Sequence, residues 1–289
     1  MALWTPSDLA TAPRLWLDAR EPLTLSGTDV VRWPDQAGAR DAVQGDAALA
    51  PRFGERQIGG LDVVTFQGNA LMDLPSLGVT GAAPRAAFAV VELIGGAVGR
   101  EVIINIGGYG TGVPYSRWTF KYHSTGDLRI ELGGAGWTGP GLTGSAVVGC
   151  VLDGDTVADH VIYVNGVAYH ATGSDPVETV DQDNGIGAVG TASATRSCGE
   201  LIFTAYAPSA DETDQITGYL AHGWGLAGEL PAGHPYKAEA PTVADPTPVP
   251  GIRAFEGPVG RQTRHTAQGF ATPAQATGRA AAWRATGHG

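Results

Sequence analysis

A succession of short, strand-like runs separated by turn residues constrains the fold of this chain more than any other feature. Typical runs are RAAFAVVELI at 85–94, AVVGCVLD at 146–153 and HVIYVNGVAY at 160–169. Gly, Asn and Asp stand between the runs, and 43 of the 289 residues are glycine. Many short strands with turn residues between them predict an all-β protein, built as a two-sheet antiparallel sandwich.

The clearest turn in the chain is Asn165-Gly166, within VIYVNGVAYHA. Both residue types tolerate a positive φ, and runs of β-branched and aromatic residues flank them. We expect a β-hairpin here. Cys150 and Cys198 also lie in apolar strand-like runs, and we expect them to be buried free thiols rather than a disulfide.

One segment, SADETDQITGYLAHGWGL at 209–226, has helical rather than strand-like periodicity. Ser209 and Glu212 have the spacing of a capping box, which marks the start of a helix. Apolar residues then recur on one helical face, namely Ile216, Tyr219, Leu220 and Trp224. We expect a single C-terminal capping helix that latches over an edge or end of the sheets, followed by a rigid hook at 231–235.

Charge is distributed unevenly along the chain, whose formal net charge is −11 at pH 7. Residues 1–250 hold 13 basic and 28 acidic residues, whereas residues 251–289 hold five Arg and one Glu. An acidic body argues against a nucleic-acid-binding face. The basic tail could contact an acidic partner surface, or it could simply be solvated.

The sequence contains no run long and apolar enough to span a membrane, so we expect no membrane span. Its first residues, MALWTPSDLATAP, have neither a basic start nor an apolar core. We therefore expect no signal peptide and synthesis in the cytoplasm.

Residues 238–289 lose all strand alternation and are rich in Pro, Ala, Gly and Thr. Such a segment cannot bury enough apolar surface to fold by itself. We expect a jelly-roll domain at 1–237 and, at 238–289, an extended irregular arm that binds neighbouring subunits. The expected anchors of this assembly arm are Phe255, Arg261, Arg264, Phe270 and Trp283.

Several segments share a pattern with a known family: LWLDA at 15–19, VVRWPDQAGARDAVQ at 30–44, VVTFQG at 63–68, YVNG at 163–166, and the block at 199–237. Together they resemble the concanavalin A-like, laminin G-like jelly-roll modules of phage tail or spike proteins and bacterial surface proteins. The resemblance implies a jelly-roll sandwich and a carbohydrate-binding or adhesive role. The shared residues look like fold determinants, namely Trp16, Asp18, Trp33, Asp35 and Trp224-Gly225-Leu226.

The jelly roll also houses glycoside hydrolases, and their laminarinase-like branch carries Glu-x-Asp-x-x-Glu on one strand. No such run occurs in this sequence, and the pairs Asp153 with Asp155 and Asp181 with Asp183 lie in turn sequences. GAGWTG at 134–139 imitates a dinucleotide-binding motif, but Pro140-Gly141 follows it instead of a helix. We therefore expect the protein not to be an enzyme.

Sugar binding commonly uses an aromatic ring that stacks on the sugar, with polar groups that bond its hydroxyls. The densest loop candidates are GGYGTGVPYSRW at 107–118 and GGAGWTGPG at 133–141. They supply the predicted carbohydrate-binding residues Tyr109, Tyr115, Arg117, Trp118 and Trp137. The alternative is that Trp118 opens a strand and belongs to the core, while the tyrosines cover a sheet edge.

The resemblance also implies a calcium ion near the loop rim of the module. DQDNG at 181–185 supplies the better set of oxygen ligands, with Asp181, Asp183 and Asn184 as the predicted metal site. The alternative is that these residues are acidic simply because Asp and Asn favour turns.

The function expected from these features is that of a structural protein of a virion or virus-like particle, of the tail fibre, spike or decoration type. It would bind a host-surface glycan, form a homo-oligomer, join other particle proteins through the arm and assemble in the bacterial cytoplasm. Two alternatives stay open: an adaptor subunit without glycan binding, and a glycan-active enzyme.

Overall fold

The computed structural model describes residues 2–96, 99–108, 115–188, 192 and 194–243, and within them lie seventeen β-strands and one α-helix. The first nine strands are β1 Leu15–Asp18, β2 Thr24–Ser26, β3 Asp29–Trp33, β4 Ala42–Val43, β5 Arg52–Ile58, β6 Leu61–Phe66, β7 Met72–Leu74, β8 Arg85–Ile94 and β9 Glu101–Ile106. The other eight are β10 Trp118–Tyr122, β11 Asp127–Glu131, β12 Gly136–Gly141, β13 Ser145–Leu152, β14 His160–Val164, β15 Val167–His170, β16 Asn184–Ala188 and β17 Thr195–Thr204. The helix, α1, spans Ala210–Gly223, and three 3₁₀ turns lie at Pro6–Asp8, Val157–Asp159 and Ala227–Glu229.

All the strands belong to one antiparallel, hydrogen-bonded sheet, so the prediction of a two-sheet jelly-roll sandwich was wrong. Fifteen strands form one continuous path, in the order β15, β14, β13, β8, β17, β6, β5, β3, β4, β7, β16, β9, β10, β11, β12. β1 pairs with β17, and β2 pairs with β3. The path bends round into a nearly closed, barrel-like sheet.

Three bridging strands explain why two separate sheets do not form. β17 pairs with β8 along one edge, while its other edge pairs with β6 and then with β1. β4 pairs with both β3 and β7, and β16 pairs with both β7 and β9. Because each of these strands has partners on both edges, the ladder of hydrogen bonds continues round the molecule.

The ends of the path, β12 and β15, do not pair with each other in the described part of the chain. Side-chain packing nevertheless connects this region. A Cβ atom built on Gly139 of β12 would lie 3.1 Å from Cδ1 of Ile162 in β14. Gly139 of β12 therefore lies in close contact with the Ile162 side chain of β14, although the two strands do not pair.

The predicted hairpin is confirmed by the pairing of β14 with β15, in which Val164 faces Val167 across the turn. Asn165 has φ +49° and Gly166 has φ +82°, as a two-residue turn of this type requires. Cys150 and Cys198 are both free and buried, which confirms the prediction of unpaired thiols.

The predicted helix is confirmed, with its capping box intact. The backbone N–H of Glu212 donates to Ser209 Oγ at 3.2 Å, and the N–H of Ser209 donates to Glu212 Oε2 at 3.0 Å. Its apolar side packs on β8 and β13, the fourth and third strands of the sheet path. Both strands are paired along both edges, so the helix covers a face of the sheet near one end of the path and not a free edge strand. No helix in the described ranges is long and apolar enough to cross a membrane.

The hook after the helix packs against the turn between β14 and β15. A Cβ atom built on Gly166 would lie 2.6 Å from the ring of His234, so no side chain fits there. His234 is buried, and its Nδ1 accepts a hydrogen bond of 3.2 Å from the N–H of Tyr236. The predicted arm begins just beyond, and residues 244–289, with all five predicted anchors, lie outside the described residues.

Candidate functional site

A cavity of about 240 Å³ lies between the N-terminal segment, the C-terminal half of α1 and the segment that follows the hook. We call it the Arg20 cavity. Its lining residues are Leu3, Trp4, Thr5, Arg20, Tyr219, His222, Gly223, Ala240 and Pro241.

Backbone pairing between the two ends of the described chain builds one wall of this cavity. Leu3 forms an isolated β-bridge with Thr242. The N–H of Trp4 donates to the carbonyl of Pro241 at 3.0 Å, and the N–H of Val243 donates to Ala2 at 2.9 Å. The wall therefore depends on residues that are more than 230 positions apart in the sequence.

Arg20 is held rigidly at the base of the cavity. Its Nε and Nη2 donate to the two carboxylate oxygens of Asp18 at 2.9 and 2.7 Å, in the bidentate arrangement typical of a strong ion pair. Nη2 also donates to Glu200 Oε2 at 2.7 Å and to Tyr219 Oη at 2.9 Å. Burial lowers the pKa of Arg20, but the hydrogen bond with Asp18 and the charge of Glu200 outweigh burial and raise it above its ordinary value.

Glu200 is the buried centre of this network, with no exposed surface. Its Oε1 accepts from the indole N–H of Trp16 at 2.7 Å, and its Oε2 accepts from the indole N–H of Trp224 at 2.8 Å. Burial first, and then the charge of Asp18, raise the pKa of Glu200 to about 7, although Arg20 and the two indoles oppose the rise. Burial therefore favours the protonated form of this carboxyl more than water does.

The cavity offers ring faces together with hydrogen-bonding groups. The Trp4 and Tyr219 rings meet edge to face, with their centroids 5.8 Å apart. Arg20 Nη1 has one contact in the described chain, a 3.4 Å hydrogen bond to Gly223, which leaves an N–H for a ligand. His222 Nε2 lies 2.8 Å from the carbonyl of Tyr236 and so carries the proton, which leaves Nδ1 as an acceptor. A donor, an acceptor and aromatic surface thus surround one space.

The carbohydrate-binding residues predicted from the sequence lie elsewhere. Trp118 is fully buried, and its indole N–H donates to His160 Nε2 at 3.0 Å, so it belongs to the core and offers no exposed ring face. The core alternative for Trp118 is therefore the correct one. Tyr115 is half-buried, and its hydroxyl donates to Asp175 Oδ1 at 3.2 Å. Tyr109 lies outside the described residues.

The two predicted loops do adjoin, but their key side chains lie on different faces. A Cβ atom built on Gly133 would lie 3.5 Å from Arg117 Cγ and 3.6 Å from the nitrogen of Tyr115. Arg117 pairs with Glu131 of β11. Trp137 of β12 faces Ile130, which points to the core, and the Trp137 ring packs against that core. The structure therefore brings Tyr115 and Arg117 together and separates Trp137 from them.

Two of the three predicted calcium ligands, Asp181 and Asn184, belong to a hydrogen-bond network whose chemistry does not fit a cation site, and the third, Asp183, is exposed. Both carboxylate oxygens of Asp181 accept hydrogen bonds, from Ser76 Oγ and the N–H groups of Leu77 and Gly78, and from the Asn184 amide. Donors surround this carboxylate, whereas calcium requires converging oxygens. Among the described residues, no group of three or more His, Cys, Asp or Glu is arranged to hold a metal ion.

The sequence analysis missed the residues of the Arg20 cavity. It assigned Tyr219 to the buried helical face and gave Trp4, Arg20 and His222 no role in a binding site. Only their residue types were visible in the sequence: Trp4 and Tyr219 are aromatic, and Arg20 is a cation. Nothing in their spacing shows that they meet.

No protein-family model and no curated protein matches this chain. Solved structures do share its fold. An arabinofuranosidase complexed with arabinofuranosyl-alpha-1,2-xylobiose aligns with a TM-score of 0.54 at 11% identity, over 68% of this chain and 51% of that chain. Trypanosoma rangeli sialidase in complex with sialic acid aligns with a TM-score of 0.51 at 14% identity, over 77% of this chain and 36% of that chain.

These similarities place the chain in a class of all-β folds that also occurs in glycan-active enzymes. At such low identity they describe the fold alone, and this chain spans only 36% of the sialidase and 51% of the arabinofuranosidase. Neither structure is named for a concanavalin A-like module, so that resemblance stays a prediction.

The prediction that the protein is not an enzyme is overturned by this finding. That prediction depended mainly on the absence of Glu-x-Asp-x-x-Glu, a run that belongs to the laminarinase-like branch of the jelly-roll fold. The observed fold occurs in a sialidase and an arabinofuranosidase, so the absence of that run excludes no glycosidase activity here.

Proposed function

We propose that the protein is glycan-active and that a single sugar ring binds in the Arg20 cavity. The observation that carries the proposal is a fixed guanidinium next to two aromatic rings in one cavity. Ligand sites typically combine apolar walls with a few convergent polar groups, and drug-sized ligands occupy roughly 300–1,000 Å³. A cavity of about 240 Å³ suits one ring better than an oligosaccharide.

The chemistry of the cavity matches that of a sugar. The apolar face of a pyranose or furanose ring packs against aromatic surface, which Trp4 and Tyr219 supply. The hydroxyl groups of a sugar both donate and accept hydrogen bonds. They can accept from the free N–H of Arg20 and donate to Nδ1 of His222. Because Asp18 and Glu200 fix Arg20 before the ligand arrives, binding costs little ordering of that side chain.

Hydrolysis of a glycosidic bond is the second candidate activity, and the fold shared with an arabinofuranosidase and a sialidase supports it. Asp18 and Glu200 are held behind Arg20 and do not line the cavity, so neither carboxyl reaches a ligand in this arrangement.

A space-filling variant tests the site without disturbing the Arg20 network. We expect Ala240→Phe to fill the cavity and to weaken sugar binding by about tenfold or more, because it removes the space for the ring. Ala238→Phe is the matched control, since Ala238 is exposed and does not line the cavity.

The measurements are calorimetric titration with a panel of neutral monosaccharides and release of nitrophenol from 4-nitrophenyl glycosides. Binding that survives in Ala240→Phe would place the sugar elsewhere. A panel that neither binds to nor is cleaved by the parent protein would refute the proposal.

Attachment to a particle stays a prediction. The acidic body and basic tail of the sequence support an arm that contacts an acidic partner surface. In that case several copies of a weak sugar site would act together through avidity. The tail fibre, spike or decoration role and the assembly in a bacterial cytoplasm depend on the same argument.

A further inference from the structure

Three residues at the base of the Arg20 cavity set the charge that it presents to a ligand. Arg20 is the one Lys or Arg among the described residues that line the cavity. Its Nη2 lies 2.7 Å from Asp18 Oδ2 and 2.7 Å from Glu200 Oε2, and the side chains of these two acids are 5% and 0% exposed. Two acidic groups thus lie directly behind the cation, where salt screens them little.

The base of the cavity is therefore not cationic, although an arginine lines it. Asp18 forms a bidentate ion pair with Arg20, which offsets the charge of the guanidinium. Glu200 then adds a negative charge when it is ionised and no charge when it holds a proton. The rest of the body acts in the same direction, because residues 1–250 hold 13 basic and 28 acidic residues. An oxyanion in the cavity would meet neutral or negative surroundings.

A second polar group of the cavity, His222, is held as a hydrogen-bond acceptor by the segment that follows the hook. Its Nε2 donates to the carbonyl of Tyr236 at 2.8 Å, so its Nδ1 carries the lone pair. The N–H of Tyr236 donates to His234 Nδ1 at 3.2 Å, and a Cβ atom built on Gly218 would lie 2.6 Å from Cβ of Tyr236. Tyr236 is thus fixed against α1, and its carbonyl sets the tautomer of His222.

We propose that the Arg20 cavity selects uncharged sugars and excludes acidic ones. A hydroxyl group can accept a hydrogen bond from Arg20 Nη1 and donate one to His222 Nδ1, whereas a carboxylate or sulfate group only accepts. An acidic sugar would therefore place an oxyanion against an acceptor nitrogen and near two buried acids. The inference depends on the proposed function, because it names the class of sugar that the same cavity takes.

The test compares sugars that share a ring and differ in charge at one carbon atom. Glucose, glucuronate and glucuronamide, and the corresponding galactose series, are titrated into the full chain by calorimetry at pH 8, because burial opposes the ionisation of Glu200 at lower pH. Glucuronamide is uncharged but has nearly the shape of glucuronate, so it separates charge from size. We expect each neutral sugar or amide that binds to do so about tenfold or more tightly than the acid of its series.

Two variants assign the preference to the acids behind Arg20. Asp18→Asn and, separately, Glu200→Gln each remove one negative charge and preserve size, so either should narrow the preference to about threefold or less. Glu178→Gln is the matched control and should preserve the full preference, because Glu178 is exposed and its backbone bonds to Tyr115 rather than to the Arg20 network. Circular dichroism and thermal melting establish that each variant is folded, and the comparison of sugars in the parent protein needs no variant.

Equal or tighter binding of glucuronate or galacturonate would overturn the inference, and so would a full preference in both acid variants. Attraction between charges weakens as salt rises, so an affinity for the acidic sugar that falls with salt would also contradict it. If Ala240→Phe weakens the binding of acidic and neutral sugars alike, the proposed function survives that result. If no sugar of either series binds, the proposed function and this inference fail together.

Discussion

Replacing Gly199 with alanine should destabilise the fold by acting on a single aromatic ring. A Cβ atom built at Gly199 of β17 would lie 2.7 Å from two ring carbons of Trp224 and 2.9 Å from a third. Ordinary carbon contacts are about 3.5–4.0 Å, so the ring would have to move by roughly 1 Å. Trp224 is fully buried, with the Arg20 guanidinium 5.2 Å from its ring centroid, so little free space remains.

The magnitude follows from the two interactions that such a movement disturbs. Overpacking of a dense core costs about 1–3 kcal/mol. The indole N–H of Trp224 donates to Glu200 at 2.8 Å, and a hydrogen bond to a charged group contributes about 1.5–3 kcal/mol. We expect Gly199→Ala to lower the free energy of unfolding by about 2–5 kcal/mol.

The assay is urea unfolding followed by tryptophan fluorescence, with Gly228→Ala as the control. A Cβ atom at Gly228 would meet nothing within 4 Å, and this glycine belongs to the same C-terminal block. We expect the control to change the free energy of unfolding by less than about 1 kcal/mol.

A double-mutant cycle identifies the ring as the cause. In a Trp224→Leu background the large ring and its hydrogen bond are absent, so Gly199→Ala should cost less than about 1 kcal/mol. An equal cost in both backgrounds, or a cost in the parent no larger than that of Gly228→Ala, would refute the reasoning.

Two further predictions concern pH and the arm. The pKa of Glu200 rises from its ordinary 4.5 to about 7 on folding, so the native state keeps a proton that the unfolded chain loses, and the free energy of unfolding should fall between pH 4.5 and 7. The fall is on the order of 3 kcal/mol. Urea unfolding at pH 5 and at pH 8 measures it, and in Glu200→Gln the difference in the free energy of unfolding between the two pH values should disappear. A difference of the same size in both proteins would contradict this origin. Deletion of residues 251–289 should leave the melting temperature within about 2 °C while abolishing assembly in light scattering, and a truncated protein that still assembles would remove the arm from the argument.

Local features of this protein were predictable because their causes lie within a few residues. The hairpin at Asn165-Gly166 follows from the positive φ that its turn requires, and the start of α1 follows from Ser209 and Glu212. The free, buried cysteines follow from their apolar neighbours in sequence. Each of these predictions used only side chains that contact each other within one turn or one strand.

The candidate site was only partly predictable. The sequence analysis singled out Arg117, which pairs with Glu131 in the structure, but it gave no role to Lys121 and Arg129, which pair with the same carboxylate. Alternation along β10 and β11 does place these cations on one face, and that signal was present in the sequence. The Arg20 cavity had no such signal, because its walls come from both ends of the described chain.

By itself, the sequence determined that the chain would form antiparallel strands, one capped helix and tight turns, since alternation, capping and turn chemistry act over short distances. Only the tertiary structure decided how the strands join. β17 and β16 each pair on both edges and so connect two groups of strands into one sheet. No local pattern selects these partners, because the strands that compete for each edge have similar local character. Other long-range contacts bring Trp4, Arg20 and Tyr219 together, because contacts between distant segments depend on which surfaces bury each other best.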